Sequence, residues 1–114
     1  MVTRKEAASA ISTLRKQRYL KAQKVSRNIL QILVKKYHVS KIILTGSLLD
    51  KNRFGFHSDI DLCVQGLSDN LYFRAVGELL LIADEFDIDI IPIESTKPKM
   101  RERIEKGRVL YEKR

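Results

Sequence analysis

Residues 41–62 read KIILTGSLLDKNRFGFHSDIDL, and this segment gives the strongest indication of the fold. Its first five residues form a short apolar run that is typical of a buried strand, and Gly46 ends that strand. Residues 51–58 are mostly polar, contain a glycine and are predicted to form a loop. Residues 59–65 then alternate between polar and apolar side chains, which predicts a second strand. The segment thus contains a strand, a tight turn, a loop and another strand.

Two short motifs in this segment point to chemistry. Backbone N–H groups at a turn such as Gly46-Ser47 can hold a phosphate group. Asp59 and Asp61 are two residues apart, so on a strand they share a face, with their Cα atoms about 7 Å apart. Their carboxylates can converge on Mg²⁺, which prefers oxygen ligands. Two-metal sites of this kind clamp the attacking and leaving oxygens of an in-line displacement. Together the motifs predict an enzyme that handles a nucleoside triphosphate.

A second pair of acidic residues, Asp87 and Asp89, lies on the apolar segment from Phe86 to Ile91, which predicts a third strand. If this strand lies beside the Asp59–Asp61 strand, one of the two completes a three-carboxylate cluster. Such a cluster repels itself and raises its own pKa values unless cations occupy it. An isolated Asp-x-Asp is often only a solvated strand face, and Gly-Ser is an ordinary turn. The combination in this order is far more specific than either part.

The remaining sequence predicts helices around these strands. Apolar spacings of three and four predict helix from Arg4 to Tyr37, with a bend near residues 16–20 left open. A second helix is predicted over residues 70–83 and a third from Pro98 to Lys106, with a last short strand at residues 109–111. The predicted fold class is α+β, with a small mixed sheet of three to four strands covered by helices. Residues 1–114 are expected to form one domain, with a basic helical segment over about residues 1–37.

Composition and charge limit the classes of function. The chain has 114 residues, of which 44% are hydrophobic, and no apolar run approaches the length of a membrane span. Cys63 is the only cysteine and the N-terminus lacks an apolar signal core, which favours a reducing, cytoplasmic location. The net charge is +8, and residues 1–45 hold 11 Lys and Arg but only one acidic residue, Glu6. This basic segment suits nucleic acid, nucleotide phosphates or an acidic partner protein, or it is simply a solvated helix face.

The order of these motifs resembles the minimal nucleotidyltransferase group of the DNA polymerase beta superfamily. The resemblance rests on Gly46-Ser47, the Asp59-Ile60-Asp61-Leu62 motif and a third carboxylate on a later apolar strand, and it covers roughly residues 26–111. The segment RERIEKGRVLY, residues 101–111, also looks like the tail of these small proteins. A polymerase-beta-like nucleotidyltransferase fold is therefore expected.

The resemblance implies a role for each motif residue. Gly46 and Ser47 would bind the triphosphate of ATP or another nucleoside triphosphate, and Asp59 and Asp61 would hold two Mg²⁺ ions. The third carboxylate would be the general base for the acceptor hydroxyl and would also face the metals. In the family it stands just before two apolar residues, so Asp89 fits best and Asp87 is the alternative.

The resemblance also bears on partners. Many minimal members are encoded beside a small helical HEPN-type protein and act as antitoxins that adenylylate the toxin on tyrosine. The expected function is transfer of a nucleoside monophosphate, with AMP from ATP as first choice, to a hydroxyl of a partner protein or another acceptor. A binding module that neutralises a HEPN-like partner by contact is the alternative. A nucleic-acid binder is less favoured, and the residues leave homo-oligomerisation open.

Overall fold

The computed structural model describes residues 1–114 and shows an α+β fold with a four-stranded mixed sheet, as predicted. Seven main elements follow the order α1 (Arg4–Lys35), β1 (Lys41–Thr45), β2 (Ile60–Gln65), α2 (Tyr72–Ile82), β3 (Ile88–Pro92), α3 (Pro98–Glu105) and β4 (Arg108–Glu112). One-turn 3-10 helices lie at Gly46–Leu49, Asp69–Leu71 and Ile93–Ser95. None of the helices combines the length and apolar character that a membrane span requires.

The sheet has the strand order β3-β2-β1-β4, so the two strands of the opening segment lie at its centre. Strand β1 pairs antiparallel with β2 and with β4, whereas β2 and β3 are parallel. Residues 46–59 connect the antiparallel strands β1 and β2, and α2 supplies the crossover that the parallel pair of β2 and β3 requires. Because β2 and β3 are parallel, their first residues lie at the same end of the sheet.

Helices α1 and α2 cover one face of the sheet and form the hydrophobic core with it. Strand residues on that face alternate with those on the other, and Ile42, Leu44, Leu62 and Ile90 belong to the core cluster. Helix α1 contributes its C-terminal half, and the buried apolar positions follow helical spacing: Ala22, Val25, Ile29 and Leu33. The opposite face carries Thr45, Asp61, Cys63 and Asp89, together with buried Ile43 beside Cys63. Helix α3 approaches this face, where its Arg103 contacts Asp61.

Several predicted boundaries differ from those observed. Helix α1 runs unbroken through residues 16–20, because no Gly or Pro interrupts it there. Strand β3 begins at Ile88, since Phe86 is buried in the core instead of lying in the sheet. The loop over residues 51–58 contains the deeply buried side chain of Phe54, which a polar loop would not predict.

Candidate active site

The predicted residues come together through strand register on the face of the sheet opposite α1 and α2. Asp61 in β2 lies directly beside Asp89 in β3, and on its other side it pairs with Thr45 at the end of β1. Neighbouring residues in register point to the same face of a sheet. The structure therefore places Asp61 between Thr45 and Asp89 in one row across three strands. Among the two alternatives for the third carboxylate, Asp89 is the residue in register with Asp61.

Asp59 and Asp87 both precede their strands by one residue. Asp59 is exposed at the entrance to β2, and Asp87 is exposed at the entrance to β3. The backbone carbonyl of Asp87 accepts a hydrogen bond of 3.0 Å from the N–H of Ile60. This bond joins the two chain segments where they enter the sheet. Asp87 therefore has a backbone contact that supports the site, whether or not its carboxylate takes part.

The Gly46-Ser47 turn adjoins the Asp61 carboxylate. Gly46 begins a one-turn 3-10 helix directly after β1 with a φ of +77°, a conformation that favours glycine. A Cβ atom at this position would lie only 2.4 Å from Oδ2 of Asp61. A side chain at this position would force the Asp61 carboxylate to shift, so glycine allows the turn to lie this close to it. No side chain caps the start of the 3-10 helix.

Asp61 is the electrostatic centre of the site. Its side chain is only 18% exposed, and this burial raises the pKa of its carboxyl above the ordinary value, with Asp89 and Asp59 adding to the rise. The guanidinium of Arg103, in α3, acts in the opposite direction, with its Nη2 3.6 Å from Oδ2 of Asp61. Ionisation of Asp61 therefore lowers the stability of the folded state, and a cation beside the carboxylate reduces this loss.

The donor chemistry of this face suits Mg²⁺, because Asp59, Asp61 and Asp89 offer only carboxylate oxygens. No group of three or more Asp, Glu, His or Cys side chains is arranged to hold a metal ion. The cation that lies beside Asp61 is the guanidinium of Arg103, whose side chain is 47% exposed. The three carboxylates share one face of the sheet without forming a ready-made metal cluster.

Sequence reasoning did not identify two residues of this region. Arg103 belongs to the tail motif that supported the resemblance, but nothing in its spacing indicates contact with Asp61. Arg18 lies in α1 and donates from Nε to the carbonyl oxygen of Gly55, at 3.2 Å, in the loop before Asp59. Both contacts join segments far apart in the chain, so no local pattern could reveal them. Cys63, which shares a face of the sheet with Asp61, is fully buried.

A protein family model, described as polymerase beta nucleotidyltransferase, matches residues 27–114. The chain belongs to the polymerase beta nucleotidyltransferase family. This match covers the whole sheet, the Gly46-Ser47 turn and the carboxylate row, and it begins inside α1. The first 26 residues, with Arg18 among them, lie before the matched region. No curated protein sequence matches the chain.

Solved structures show the same fold. A structure of the toxin–antitoxin MntA–HepT is 20% identical with a TM-score of 0.59, covering 79% of this chain and 72% of that one. A toxin–antitoxin structure with AMP-PNP is 20% identical with a TM-score of 0.62, covering 76% and 73%. A complex of tri-AMPylated Shewanella oneidensis HEPN toxin with MNT antitoxin is 20% identical with a TM-score of 0.50, covering 89% and 72%. At this level of identity, the likeness establishes the fold.

Proposed function

We propose that this protein transfers a nucleoside monophosphate, AMP from ATP in the first instance, to a hydroxyl group of a partner protein. The observation that carries the proposal is the row of Asp61 and Asp89 in register, with Gly46 held against the Asp61 carboxylate. Family membership supports a nucleotidyltransferase. Nucleotidyl transfer depends chiefly on positioning the reactants and on stabilising charge. The carboxylates of this row and the turn beside them can contribute to both.

Each motif residue has a role in the proposal. The backbone N–H groups of Gly46 and Ser47 hold the triphosphate, since no side chain caps that turn. Asp59, Asp61 and Asp89 would hold two Mg²⁺ ions, which would offset the negative charge of the phosphates during transfer. Asp89 is exposed and therefore accessible to an acceptor hydroxyl, from which it takes the proton as general base.

The proposed acceptor is a small helical HEPN-type protein. The support is the fold shared with antitoxins in toxin–antitoxin structures, one of which contains AMP-PNP and another an AMPylated HEPN toxin. The chain has a site for phosphate and carboxylate chemistry on the face of the sheet that carries Asp61 and Asp89. A cytoplasmic location, where ATP is abundant, belongs to the same proposal.

The test is transfer of label from α-labelled ATP. The purified protein is incubated with Mg²⁺ and the product of the neighbouring gene, and label on protein is measured for the wild type and for Asp59→Asn, Asp61→Asn and Asp89→Asn. We expect labelling by the wild type and its loss in all three variants. Asp69→Asn is the matched control, because Asp69 is exposed after the far end of β2. Labelling that survives Asp59→Asn and Asp61→Asn would refute the carboxylate mechanism.

Asp87→Asn decides between the two alternatives for the third carboxylate. The register predicts that this variant keeps most of its activity while Asp89→Asn loses it, because Asp89 is the direct neighbour of Asp61. Loss of labelling in Asp87→Asn alone would assign the general base to Asp87.

A second candidate function is neutralisation of the partner by contact. The observation that favours it is the N-terminal half of α1, which is exposed through Gln17 and presents Ile11 and Leu14 to solvent. Beside it lies an open groove of about 730 Å³ whose charged lining residues are all basic: Arg15, Lys16 and Lys51. Such a surface suits an acidic partner. Neutralisation that survives Asp59→Asn and Asp61→Asn, without transfer, would support this function.

A further inference from the structure

The loop between the Gly46-Ser47 turn and Asp59 is attached to helix α1 by arginine side chains. The guanidinium of Arg18 donates to the carbonyl oxygen of Gly55 at 3.2 Å and to that of Ser58 at 3.5 Å. Three residues earlier on the same helix, Arg15 donates to the carbonyl oxygen of Asn52 at 3.3 Å. Side chains three residues apart lie on one face of a helix. One face of α1 therefore holds three carbonyl groups of this loop.

Arg18 is the strongest of these attachments. Its side chain is only 14% exposed, and its guanidinium carbon lies 4.5 Å from the ring centroid of Phe86. It also forms an ion pair of 3.0 Å with Glu85. Hydrogen bonds from a charged donor and cation–π contacts are each stronger when partly removed from water. The guanidinium is therefore fixed in place by the core on one side and bound to the loop on the other.

We infer that Arg18 is a positioning residue that keeps Asp59 beside Asp61, an inference that rests on the proposed function. Asp59 lies outside β2, so the sheet ladder does not fix it directly. Its backbone is held on one side by the bond from Arg18 to the Ser58 carbonyl, and on the other by the bond between Ile60 and the Asp87 carbonyl. Releasing the first would free Asp59 to move away from the carboxylate row.

The residue that makes this attachment lies outside the part of the chain that the family model matches. Arg18 lies before residue 27, where the match to the family model begins. Helix α1 therefore does more than cover the sheet: the part outside the matched region reaches the loop inside it. The charge of the basic N-terminal segment did not indicate a specific role. The contacts of Arg18 give this segment a role inside the molecule, which is to hold the loop before Asp59.

Glu85 offers a matched control. It pairs with Arg18 but also with Lys21, at 2.9 Å, so Glu85→Gln removes the ion pair and leaves the Arg18 contacts with the loop. Arg18→Gln removes both. Arg18→Lys keeps the charge but lacks the several N–H donors of the guanidinium. Its Mn²⁺ binding and loop protection should therefore lie between those of Arg18→Gln and the wild type. Comparing the three full-length variants separates loop positioning from general stability.

The experiment measures Mn²⁺ binding by electron paramagnetic resonance, hydrogen exchange of residues 50–59, and the unfolding midpoint. We expect Arg18→Gln to weaken Mn²⁺ binding by about 10-fold, as loss of a group that orients a metal ligand typically does. It should also accelerate exchange in the loop. Glu85→Gln should show neither effect, even where its unfolding midpoint falls by a similar amount.

Two results would overturn the inference. The first is that Arg18→Gln binds Mn²⁺ as well as the wild type does. The second is that Arg18→Gln and Glu85→Gln lose Mn²⁺ binding equally, in proportion to their loss of stability. None of these readouts needs a transfer reaction. If the wild type binds no Mn²⁺, the proposed function fails, and loop exchange alone decides the role of Arg18: exchange no faster than in Glu85→Gln refutes it.

Discussion

Gly46 is subject to two separate constraints that a single substitution can test. Its φ of +77° disfavours any side chain, and an added Cβ would lie 2.4 Å from Oδ2 of Asp61. Both effects strain the folded state, so Gly46→Ala should destabilise the protein by about 1–3 kcal/mol. It should also displace the Asp61 carboxylate and reduce labelling in the transfer assay. Urea denaturation measures the first effect.

The control for Gly46→Ala is Gly77→Ala in helix α2. A Cβ atom at Gly77 would have no neighbour within 4 Å, and its backbone is helical. Alanine should therefore stabilise the helix, by about 0.5–1 kcal/mol, because it restricts the unfolded chain more than glycine does. Gly46→Ala as stable as the wild type would contradict the close approach of the turn to Asp61.

Asp61 connects the proposed function to stability through its pKa. Burial, followed by Asp89, raises the pKa of the folded carboxyl above its ordinary value, although Arg103 opposes the rise. The folded state thus binds this proton more tightly than the unfolded chain does. Ionised Asp61 therefore lowers stability at neutral pH, and this cost disappears as the pH falls below the unfolded pKa, about 4.

Asp61→Asn should consequently be at least as stable as the wild type at pH 7 while being inactive in transfer. Its advantage in free energy of unfolding should shrink as the pH falls toward the unfolded pKa, because the wild-type carboxyl then becomes neutral too. Urea denaturation of both proteins across this pH range checks the prediction. A variant that is less stable than the wild type at pH 7, with parallel pH dependence, would show that Asp61 stabilises the fold.

The site residues divide by how far their contacts reach along the chain. Asp59 and Asp61 could be placed together from the sequence, because two residues on an extended chain share a face. Asp89 required a guess about which strands are neighbours, and the resemblance guided it. Arg103 and Arg18 could not be found, because their partners are set by where α3 and α1 pack. Local patterns contain no information about that packing.

At the scale of elements, periodicity predicted the strands and helices well, and loops poorly. The apolar run of β1 and the alternation of β2 are strong local signals, and both strands appear where predicted. The loop over residues 51–58 was expected to be polar, but Phe54 is buried against Tyr19 and Phe86, with ring centroids 6.2 and 6.1 Å away. An aromatic residue between Arg and Gly has no periodic neighbours, so its burial depends on the tertiary fold.

Helix α1 combines two regions that the sequence did not distinguish. From Ala22 onward it has a buried face, whereas every residue through Gln17 is exposed. A helix segment without a buried face gains no stability from packing, and short helices in water are marginal. Its Thr3 N-cap, which accepts a hydrogen bond of 3.1 Å from the N–H of Glu6, is the main local support. The two halves should therefore differ in stability.

The shape of the whole molecule reflects this exposed half. The radius of gyration is 15.9 Å and the longest dimension is 55 Å. A compact protein of this length would have a radius of gyration of about 13 Å. The 32 residues of α1 span about 48 Å at 1.5 Å per residue, so the helix accounts for the elongation. The basic N-terminal half thus extends beyond the body of the protein, where a partner can reach it.

This geometry predicts that the amides of residues 4–14 exchange with solvent much faster than those of residues 22–33, measured by hydrogen exchange on the isolated protein. The reason is that the first group can open without exposing any core residue, whereas opening the second uncovers Ala22 and Ile29. The two halves should also differ in their response to substitution. Ala22→Gly should lower the free energy of unfolding by about 1 kcal/mol or more, whereas Ala10→Gly in the exposed half should lower it by only a small part of that. Equal protection of both halves would mean that the exposed half is packed against something in solution. Sedimentation would then show a second copy of the chain, because no other protein is present.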